Sequence, residues 1–297
     1  MTVDVEPSDI WPIWPNGLPG GETLAIVPSL VERSPNPSAF RDRAAVGTIE
    51  PRLSIVRPSA PNGAGLLILP GGGYWLTTYD KEGLDIARVF AIAGVTCFVL
   101  DYRLPAEGWS ERSRAPLQDA QRAIRMIRAK ASEIGVDATR IAVLGSSAGG
   151  HLAGWLSVEP DPAYAPMDSI DDGSLRPDLT ILNYPTATMR DPFVFAGCRQ
   201  MLLGDTPCEM DIDRLSLECR DWNGAGPVCL IHAIDDDAVP VENTTELLST
   251  LRRDGVPTEV HLFQKGGHGF AIRLGEGLPV RHWPDLVLAF GRDHGWL

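Results

Sequence analysis

The chain lacks the features that stabilise small secreted proteins or anchor proteins in membranes. Only five of its 297 residues are cysteines, and no two of them form a Cys-x-x-Cys pair, so a disulfide framework or a zinc ribbon is not expected. No apolar run approaches the roughly 20 residues that a membrane-spanning helix needs. The N-terminus has neither the basic start nor the apolar stretch of a signal peptide. We therefore expect a cytoplasmic protein.

Positive charge is also scarce. The chain has 26 Lys and Arg against 39 Asp and Glu, which gives a formal net charge of −13. This balance disfavours contact with phosphate backbones and anionic lipids, so neither a nucleic acid nor a membrane surface is expected as a partner. Hydrophobic residues make up 44% and charged residues 22%, as is typical of a globular protein with its own core.

Short apolar runs alternate with amphipathic helical patterns along most of the chain. Because the central strands of a parallel sheet are covered on both faces, they are continuously apolar. The alternation therefore predicts an α/β fold with a mostly parallel central sheet and helices on both faces. The predicted strands are 65–70, 95–101, 140–145, 179–184, 228–233 and 259–263, and the predicted helices are 82–93, 115–134, 241–254 and 284–290. Two more polar segments, 45–50 and 52–57, are predicted as antiparallel strands at one sheet edge.

Residues 1–297 are predicted to form a single domain, with three segments outside the alternating pattern. Residues 1–40 are rich in Pro, Trp and Gly and are expected to wrap the surface. Residues 159–177 are acidic and Pro-rich, which indicates a surface loop. Residues 186–226 separate two predicted strands by far more than the usual two to six residues or so, which makes this segment a candidate small cap over a substrate pocket.

A Gly-x-Ser-x-Gly sequence at residues 145–149 follows a predicted strand directly and opens a predicted helix. This is the setting of a nucleophile elbow, in which a sharp turn exposes the central serine hydroxyl. Gly145 and Gly149 would allow the flanking chains to pass closely, and the helix N-terminus would point toward developing negative charge. Ser147 is therefore the expected nucleophile, and Ser146 is expected to be a packed or hydrogen-bonded neighbour.

Three consecutive glycines, 71–73, follow the first predicted strand. Such a loop leaves backbone N–H groups unshielded and can hold an anion. Beside an elbow, that anion would be the oxyanion of acyl transfer. A phosphate loop is less favoured, since no Gly-Lys-Ser/Thr follows the glycines.

A serine nucleophile needs a base and an acid, which in this fold follow it in the order acid, then histidine. His268 lies in a Gly-rich loop directly after the last predicted strand and is the expected base. Among the acids, Asp235, Asp236 and Asp237 follow the preceding strand, and the residues alone leave Asp235 and Asp236 open. The other histidines are expected to pack, to support the site or to lie at the surface: His151, His232, His261, His282 and His294.

Taken in order, these motifs resemble the α/β-hydrolase superfamily over residues 11–270. They are most similar to the acetylxylan-esterase-like serine esterases related to the hormone-sensitive-lipase branch. The motifs are the opening Trp-Pro-Asn-Gly-Leu-Pro-Gly, Pro-Gly-Gly-Gly-Tyr at 70–74, Asp-Tyr-Arg-Leu-Pro at 101–105, the elbow, Asp-Asp-Asp-Ala-Val-Pro at 235–240 and Gly-Gly-His-Gly-Phe at 266–270. The resemblance implies Asp236 as the acid and an oxyanion hole made by the N–H groups of Gly72, Gly73 and Ala148. Pro70 stands where the lipase motif has histidine, and Ala233 where many relatives have glycine.

The predicted activity is hydrolysis of short-chain acyl esters, acetyl above all, through a Ser147-His268-Asp236 triad and an acyl-enzyme. The substrates implied are small esters, in particular acetylated sugars or xylo-oligosaccharides, with no metal or organic cofactor. Tyr74, Trp75 and parts of 186–226 are expected to line the pocket. The alternatives are another serine hydrolase, such as an arylformamidase-like amidase or a peptidase, and a non-catalytic receptor on the same fold. The sequence leaves a monomer and a homo-oligomer equally open.

Overall fold

The computed structural model describes residues 7–297 and is organised around an eight-stranded sheet. Across this sheet the strand order is β1-β4-β6-β5-β7-β8-β9-β10, and β2 and β3 form a separate antiparallel pair. All neighbours from β6 to β10 are parallel, whereas β4 and β1 are antiparallel additions at one end. The strands of the described residues are β1 (Asp9–Pro12), β2 (Ser29–Glu32), β3 (Arg43–Val46), β4 (Arg52–Val56), β5 (Gly65–Leu69), β6 (Thr96–Asp101), β7 (Ile141–Ser146), β8 (Leu179–Asn183), β9 (Val228–Ala233) and β10 (Thr258–Phe263).

Helices cover both faces of the sheet, which confirms the predicted α/β class. Successive residues of β5 enter different cores: Leu67 packs with residues of α2, α3 and α6, and Leu66 packs with residues of α1 and α7. No helix within residues 7–297 is both long and apolar enough to traverse a lipid bilayer. The α-helices are α1 (Asp85–Ile92), α2 (Ala115–Lys130), α3 (Ala148–Val158), α4 (Ala196–Leu203), α5 (Glu209–Leu215), α6 (Glu242–Arg253) and α7 (Trp283–Asp293).

The antiparallel end of the sheet differs from the prediction. The segment 52–57 does form β4, but the outermost strand is β1, which comes from the N-terminal segment expected only to wrap the surface. The segment 45–50 is not an edge strand of this sheet, because β3 pairs with β2 instead. Ala45 also exchanges two backbone hydrogen bonds of 2.9 Å with Thr77, which holds the small sheet over the start of the first helical region.

Two predicted elements have different boundaries or surroundings. The helix predicted over 82–93 is a π-helical turn, Tyr79–Leu84, that leads into α1. The loop 159–177 is not simply a surface loop, because it is held to α2 by an almost fully buried arginine. Arg122 bonds Asp168 at 2.6 Å and Asp171 at 2.8 Å, and Asp171 is itself buried.

The long segment 186–226 folds against the body of the protein. It contains α4 and α5, and the Leu217 N–H donates to the Ala187 carbonyl across the segment at 2.9 Å. The Leu217 side chain packs on Gly154 so closely that a Cβ there would lie 2.4 Å from it. The segment 186–226 therefore packs against α3 through Leu217.

Candidate active site

Ser147 occupies the sharp turn between β7 and α3. Its backbone has φ 55° and ψ −121°, a region that costs a non-glycine residue of order 1–3 kcal/mol. The neighbouring glycines explain how the turn can exist. A Cβ on Gly145 would lie 2.0 Å from the Gly149 carbonyl oxygen, and a Cβ on Gly149 would lie 2.0 Å from the Leu69 carbonyl oxygen. The elbow thus packs backbone on backbone, and only glycine fits at both positions.

Three distant side chains meet at this turn. Ser147 Oγ lies 2.9 Å from His268 Nε2, and His268 Nδ1 lies 2.8 Å from Asp236 Oδ2. The Asp236 side chain has no exposed surface, whereas that of His268 is 24% exposed. A hydroxyl, an imidazole and a carboxylate in this order can activate the serine oxygen as a nucleophile.

Asp236 is held in its ionised form by four hydrogen bonds. Its Oδ1 accepts the N–H groups of Ala238 and Val239, and its Oδ2 accepts from His232 and His268. Burial opposes ionisation, but the hydrogen bonds from His232, His268 and Val239 outweigh it and hold the pKa of this carboxyl well below its usual range. The sequence left the role of His232 open; here its Nε2 donates to Asp236 and its Nδ1 accepts from Thr244.

Asp235, the alternative acid, faces a different group. Its Oδ1 accepts the backbone N–H groups of Gly266 and Gly267, each at 2.8 Å. Both glycines belong to the loop that carries His268. Of the two adjacent carboxylates, one therefore contacts the imidazole and the other the backbone of its loop, a division that their spacing alone does not reveal.

The glycine loop after β5 lies directly against the elbow. A Cβ on Gly71 would lie 2.8 Å from Ser147 Cβ. Gly72 and Gly73 have φ 131° and 63°, and no group within residues 7–297 accepts a hydrogen bond from their N–H groups. Ala148 is the first residue of α3, so its N–H has no partner within the helix. Two of these N–H groups lie in the loop that flanks Ser147 and the third follows the serine directly, and all three are free to donate to an anion.

The two aromatic residues expected at the pocket have different positions. Tyr74 does not line it: the side chain is fully buried, and its hydroxyl bonds His151 Nδ1 at 2.8 Å. Its hydroxyl finds its hydrogen-bond partner inside the core, and its backbone has a positive φ of 65°. Trp75 is 45% exposed; its ring covers Gly73 and meets the Phe195 ring edge-on at 5.7 Å. Residues 186–226 therefore contribute Phe195, which packs against Trp75 next to the glycine loop.

His151 lies on α3 and links this helix to Tyr74 and Leu215. It is fully buried between the Tyr74 hydroxyl and the Leu215 carbonyl, 2.7 Å from Nε2. Burial lowers the pKa of this imidazole to about 4, so it is neutral at pH 7. The bonding pattern puts its proton on Nε2. The remaining histidines lie away from Ser147: His261 is close to Glu259, His282 is close to Asp285, and His294 bonds the Phe290 carbonyl.

Comparison with known proteins identifies the family of this chain. Residues 66–272 match the family described as the alpha/beta hydrolase fold. Because this match covers well over half of the chain, the protein belongs to that family, and the resemblance noted from its motifs is confirmed.

Particular relatives are ester and glycoside hydrolases. The chain is 32% identical over 207 residues to endo-1,4-beta-xylanase B of Butyrivibrio fibrisolvens, covering 70% of this chain and 32% of that protein. It is 27% identical over 221 residues to an acetylxylan esterase of Xylanibacter ruminicola, covering 72% and 42%. An acetyl ester-xyloside bifunctional hydrolase from Caldicellulosiruptor lactoaceticus superposes with a TM-score of 0.74 at 29% identity, covering 91% of this chain and 97% of that one. The chain thus spans less than half the length of the first two relatives.

Proposed function

We propose that the protein is a serine ester hydrolase that removes short acyl groups, acetyl above all, from acetylated sugars or xylo-oligosaccharides. The observation that carries this proposal is the continuous path from Ser147 Oγ through the His268 imidazole to the buried Asp236 carboxylate. The unpaired N–H groups of Gly72 and Gly73 beside the serine supply the second requirement of acyl transfer.

Each residue has one role in the proposed reaction. His268 Nε2 takes the hydroxyl proton as Ser147 Oγ attacks the ester carbonyl carbon, and the N–H groups of Gly72, Gly73 and Ala148 stabilise the oxyanion. The intermediate collapses to the acyl-enzyme, and the alcohol leaves with the proton from His268. Water, deprotonated by His268, then attacks the acyl carbon; the bond from this carbon to Ser147 Oγ breaks, Oγ regains its proton from His268, and the carboxylic acid is released. Asp236 stabilises the imidazolium in both halves.

The substrate class rests on the relatives and on the surroundings of the serine. An acetylxylan esterase and an acetyl ester-xyloside hydrolase are among the similar proteins. The exposed Trp75 ring, fixed over Gly73 and against Phe195, offers an apolar face beside the reacting carbonyl, suited to the C–H face of a sugar ring.

Labelling and substrate panels test the proposal. We expect a fluorophosphonate probe to label Ser147, as mapped by peptide mass spectrometry, and Ser147→Ala to abolish labelling. With nitrophenyl esters from acetyl to decanoyl, kcat/KM should be highest for acetyl, and acetylated xylo-oligosaccharides should be deacetylated. Folded protein that neither reacts with the probe nor turns over an ester would favour a receptor. Faster turnover of formylkynurenine or a peptide than of any ester would favour the other serine hydrolases.

The acid can be tested separately. Asp236→Asn leaves the shape of the side chain but offers the imidazole the wrong partner, so kcat on nitrophenyl acetate should fall about 10³–10⁴-fold. If folded Asp236→Asn keeps most of its activity, the assignment of this carboxylate is wrong.

A further inference from the structure

We propose that Glu82, buried behind the glycine loop, is a positioning residue that holds this loop against Ser147 and, through Tyr184, steadies the His268 imidazole. The inference rests on the proposed function, because it assigns Glu82 to the same reaction. The nucleophile, base, acid and oxyanion donors described above do not include it, and it lies on an element that the sequence pattern predicted as ordinary helix.

Glu82 is presented by the π-helical turn Tyr79–Leu84. Such turns are rare and occur often at functional sites, because the extra residue in the turn re-aims a side chain. Two acids of this turn have different surroundings. Asp80 pairs with Arg43 at 2.8 Å and so fastens the turn to β3, whereas Glu82 points to the glycine loop.

The Glu82 carboxylate accepts hydrogen bonds from three separate parts of the site. Its Oε2 accepts the Gly71 N–H at 2.9 Å and the Thr78 hydroxyl at 2.7 Å, and its Oε1 accepts the Tyr184 hydroxyl at 3.0 Å. The point where a Gly71 Cβ would lie is 2.7 Å from Glu82 Oε2 and 2.8 Å from Ser147 Cβ. The Glu82 carboxylate and the Ser147 side chain therefore both lie against Gly71.

Tyr184 extends this contact to the base. Its ring lies 5.2 Å from the His268 imidazole, edge to face, and 4.6 Å from the Phe270 ring in the same loop. The residue is fully buried and has φ 37°, so its position depends on its surroundings. A hydrogen bond from its hydroxyl to Glu82 fixes the ring that packs on the imidazole.

The chemistry of the site explains why a carboxylate is needed. Glu82 is only 3% exposed, and all three donors described for it are uncharged. Burying a carboxylate costs free energy unless several hydrogen bonds compensate. No single neutral side chain of this length accepts three hydrogen bonds while donating none. A carboxylate at this position can therefore bind the glycine loop, Thr78 and Tyr184 at the same time.

The test compares Glu82→Gln, Glu82→Ala and the control Asp80→Asn, which changes a buried acid of the same turn that does not contact the glycine loop. On nitrophenyl acetate we expect kcat to fall about 10-fold for Glu82→Gln and about 100-fold for Glu82→Ala, with KM changed less than about two-fold. Removing one oxyanion donor lowers kcat by roughly 10²–10³-fold. Displacing the loop that carries the donors should lower kcat by no more than that. Asp80→Asn should lower the melting temperature but keep kcat within about two-fold.

The contact between Glu82 and Tyr184 can be tested separately with a double variant. Tyr184→Phe removes only the hydroxyl, and we expect kcat to fall about three-fold. Because Tyr184→Phe and Glu82→Gln break the same hydrogen bond, their effects in the double variant should not multiply. Fully multiplicative effects would remove Tyr184 from the proposal.

Hydrogen exchange separates failure of this inference from failure of the proposed function. In peptides covering residues 70–76, exchange should be at least about 10-fold faster in Glu82→Ala than in Asp80→Asn, whatever the activity. Unchanged exchange, or a kcat loss in Asp80→Asn equal to that in Glu82→Ala, overturns the inference. If the wild-type protein neither hydrolyses esters nor reacts with the fluorophosphonate probe, the proposed function is wrong. The comparison of hydrogen exchange between Glu82→Ala and Asp80→Asn still decides the role of Glu82 in that case.

Discussion

The two regions that bring Ser147 and His268 together are held in place by different means. At the elbow, residues 145–151, backbone groups hold backbone groups. The Ser147 N–H donates to the Asn183 carbonyl at 3.0 Å, and the Ser147 carbonyl accepts the N–H groups of His151 and Thr186. These contacts, together with the glycine close approaches on either side, leave the serine a single position.

The loop carrying His268 is held largely by side chains. It contains Gly266, Gly267 and Gly269, of which the last two have φ 62° and 69°. The Asp235 carboxylate binds its backbone and the Asp236 carboxylate binds its imidazole. The comparison teaches that the Ser147 hydroxyl is placed by backbone contacts of the fold, whereas the His268 imidazole is placed largely by two adjacent acids. Variants that crowd the elbow glycines should therefore cost stability, and variants that release the histidine loop should cost activity.

The largest effect should follow from a single methyl group at the elbow. In Gly149→Ala, the added Cβ would lie 2.0 Å from the Leu69 carbonyl oxygen and 2.7 Å from that of Pro70. Both atoms are backbone of the central sheet and its loop, so neither can move without displacing β5. We expect a loss of more than about 4 kcal/mol in the free energy of unfolding, measured by urea denaturation, or no soluble protein.

Gly173→Ala is the matched control. Gly173 has φ −73°, and a Cβ there would have its nearest neighbour at 3.4 Å, an ordinary contact. Its unfolding free energy should stay within about 0.5 kcal/mol of the wild type. A stable, active Gly149→Ala protein would mean that the elbow can relax, and the contrast between the two regions would disappear.

The difference between the regions also explains what the sequence could reveal. Ser147 and its glycines form a motif that is local in sequence and tied to a strand–turn–helix setting, so the pattern alone predicts the elbow. The choice between Asp235 and Asp236 depends on which way two neighbouring side chains leave one turn, and residue types do not encode that direction.

The predictions that differ from the structure also concern side-chain direction or pairing between distant segments, which local sequence patterns do not encode. The sequence predicts Tyr74 at the pocket, but its side chain is buried and its hydroxyl bonds His151 in the core. The edge strand β1 pairs with β4 about forty residues further along the chain, and no local pattern marks such a pairing. The acid Glu82 looks like any exposed helical residue until the π-helical turn aims it inward.

The next largest effect is a pH dependence that belongs to the elbow helix. His151 has a pKa of about 4 in the folded protein because it is buried, against 6.5 ordinarily. Between these values the unfolded chain binds a proton and the folded chain does not, so the free energy of unfolding falls as pH falls through this window. The group should account for about 3 kcal/mol lost between pH 7.5 and pH 4.

His151→Gln isolates this contribution, because glutamine can still donate to the Leu215 carbonyl and accept from Tyr74 but does not titrate. We expect this variant to be less stable at pH 7.5 by about 1 kcal/mol. Its urea midpoint should decline much less than that of the wild type on going to pH 4. Parallel declines of the two proteins would show that His151 does not control acid stability.

The smallest effect should arise in the histidine loop and should appear mainly in activity. Asp235 is exposed, so water can replace its two hydrogen bonds, and Asp235→Ala should cost only about 1 kcal/mol in unfolding free energy. The glycine-rich loop would then be free to move, and kcat on nitrophenyl acetate should fall about 10-fold.

Since both N–H groups bind the same oxygen, Oδ1, Asp235→Asn should keep most of the activity. Asp237→Ala removes an equal charge from the same turn and should leave kcat unchanged. If Asp235→Asn lost as much as Asp235→Ala, charge and not loop anchoring would be the contribution of this residue.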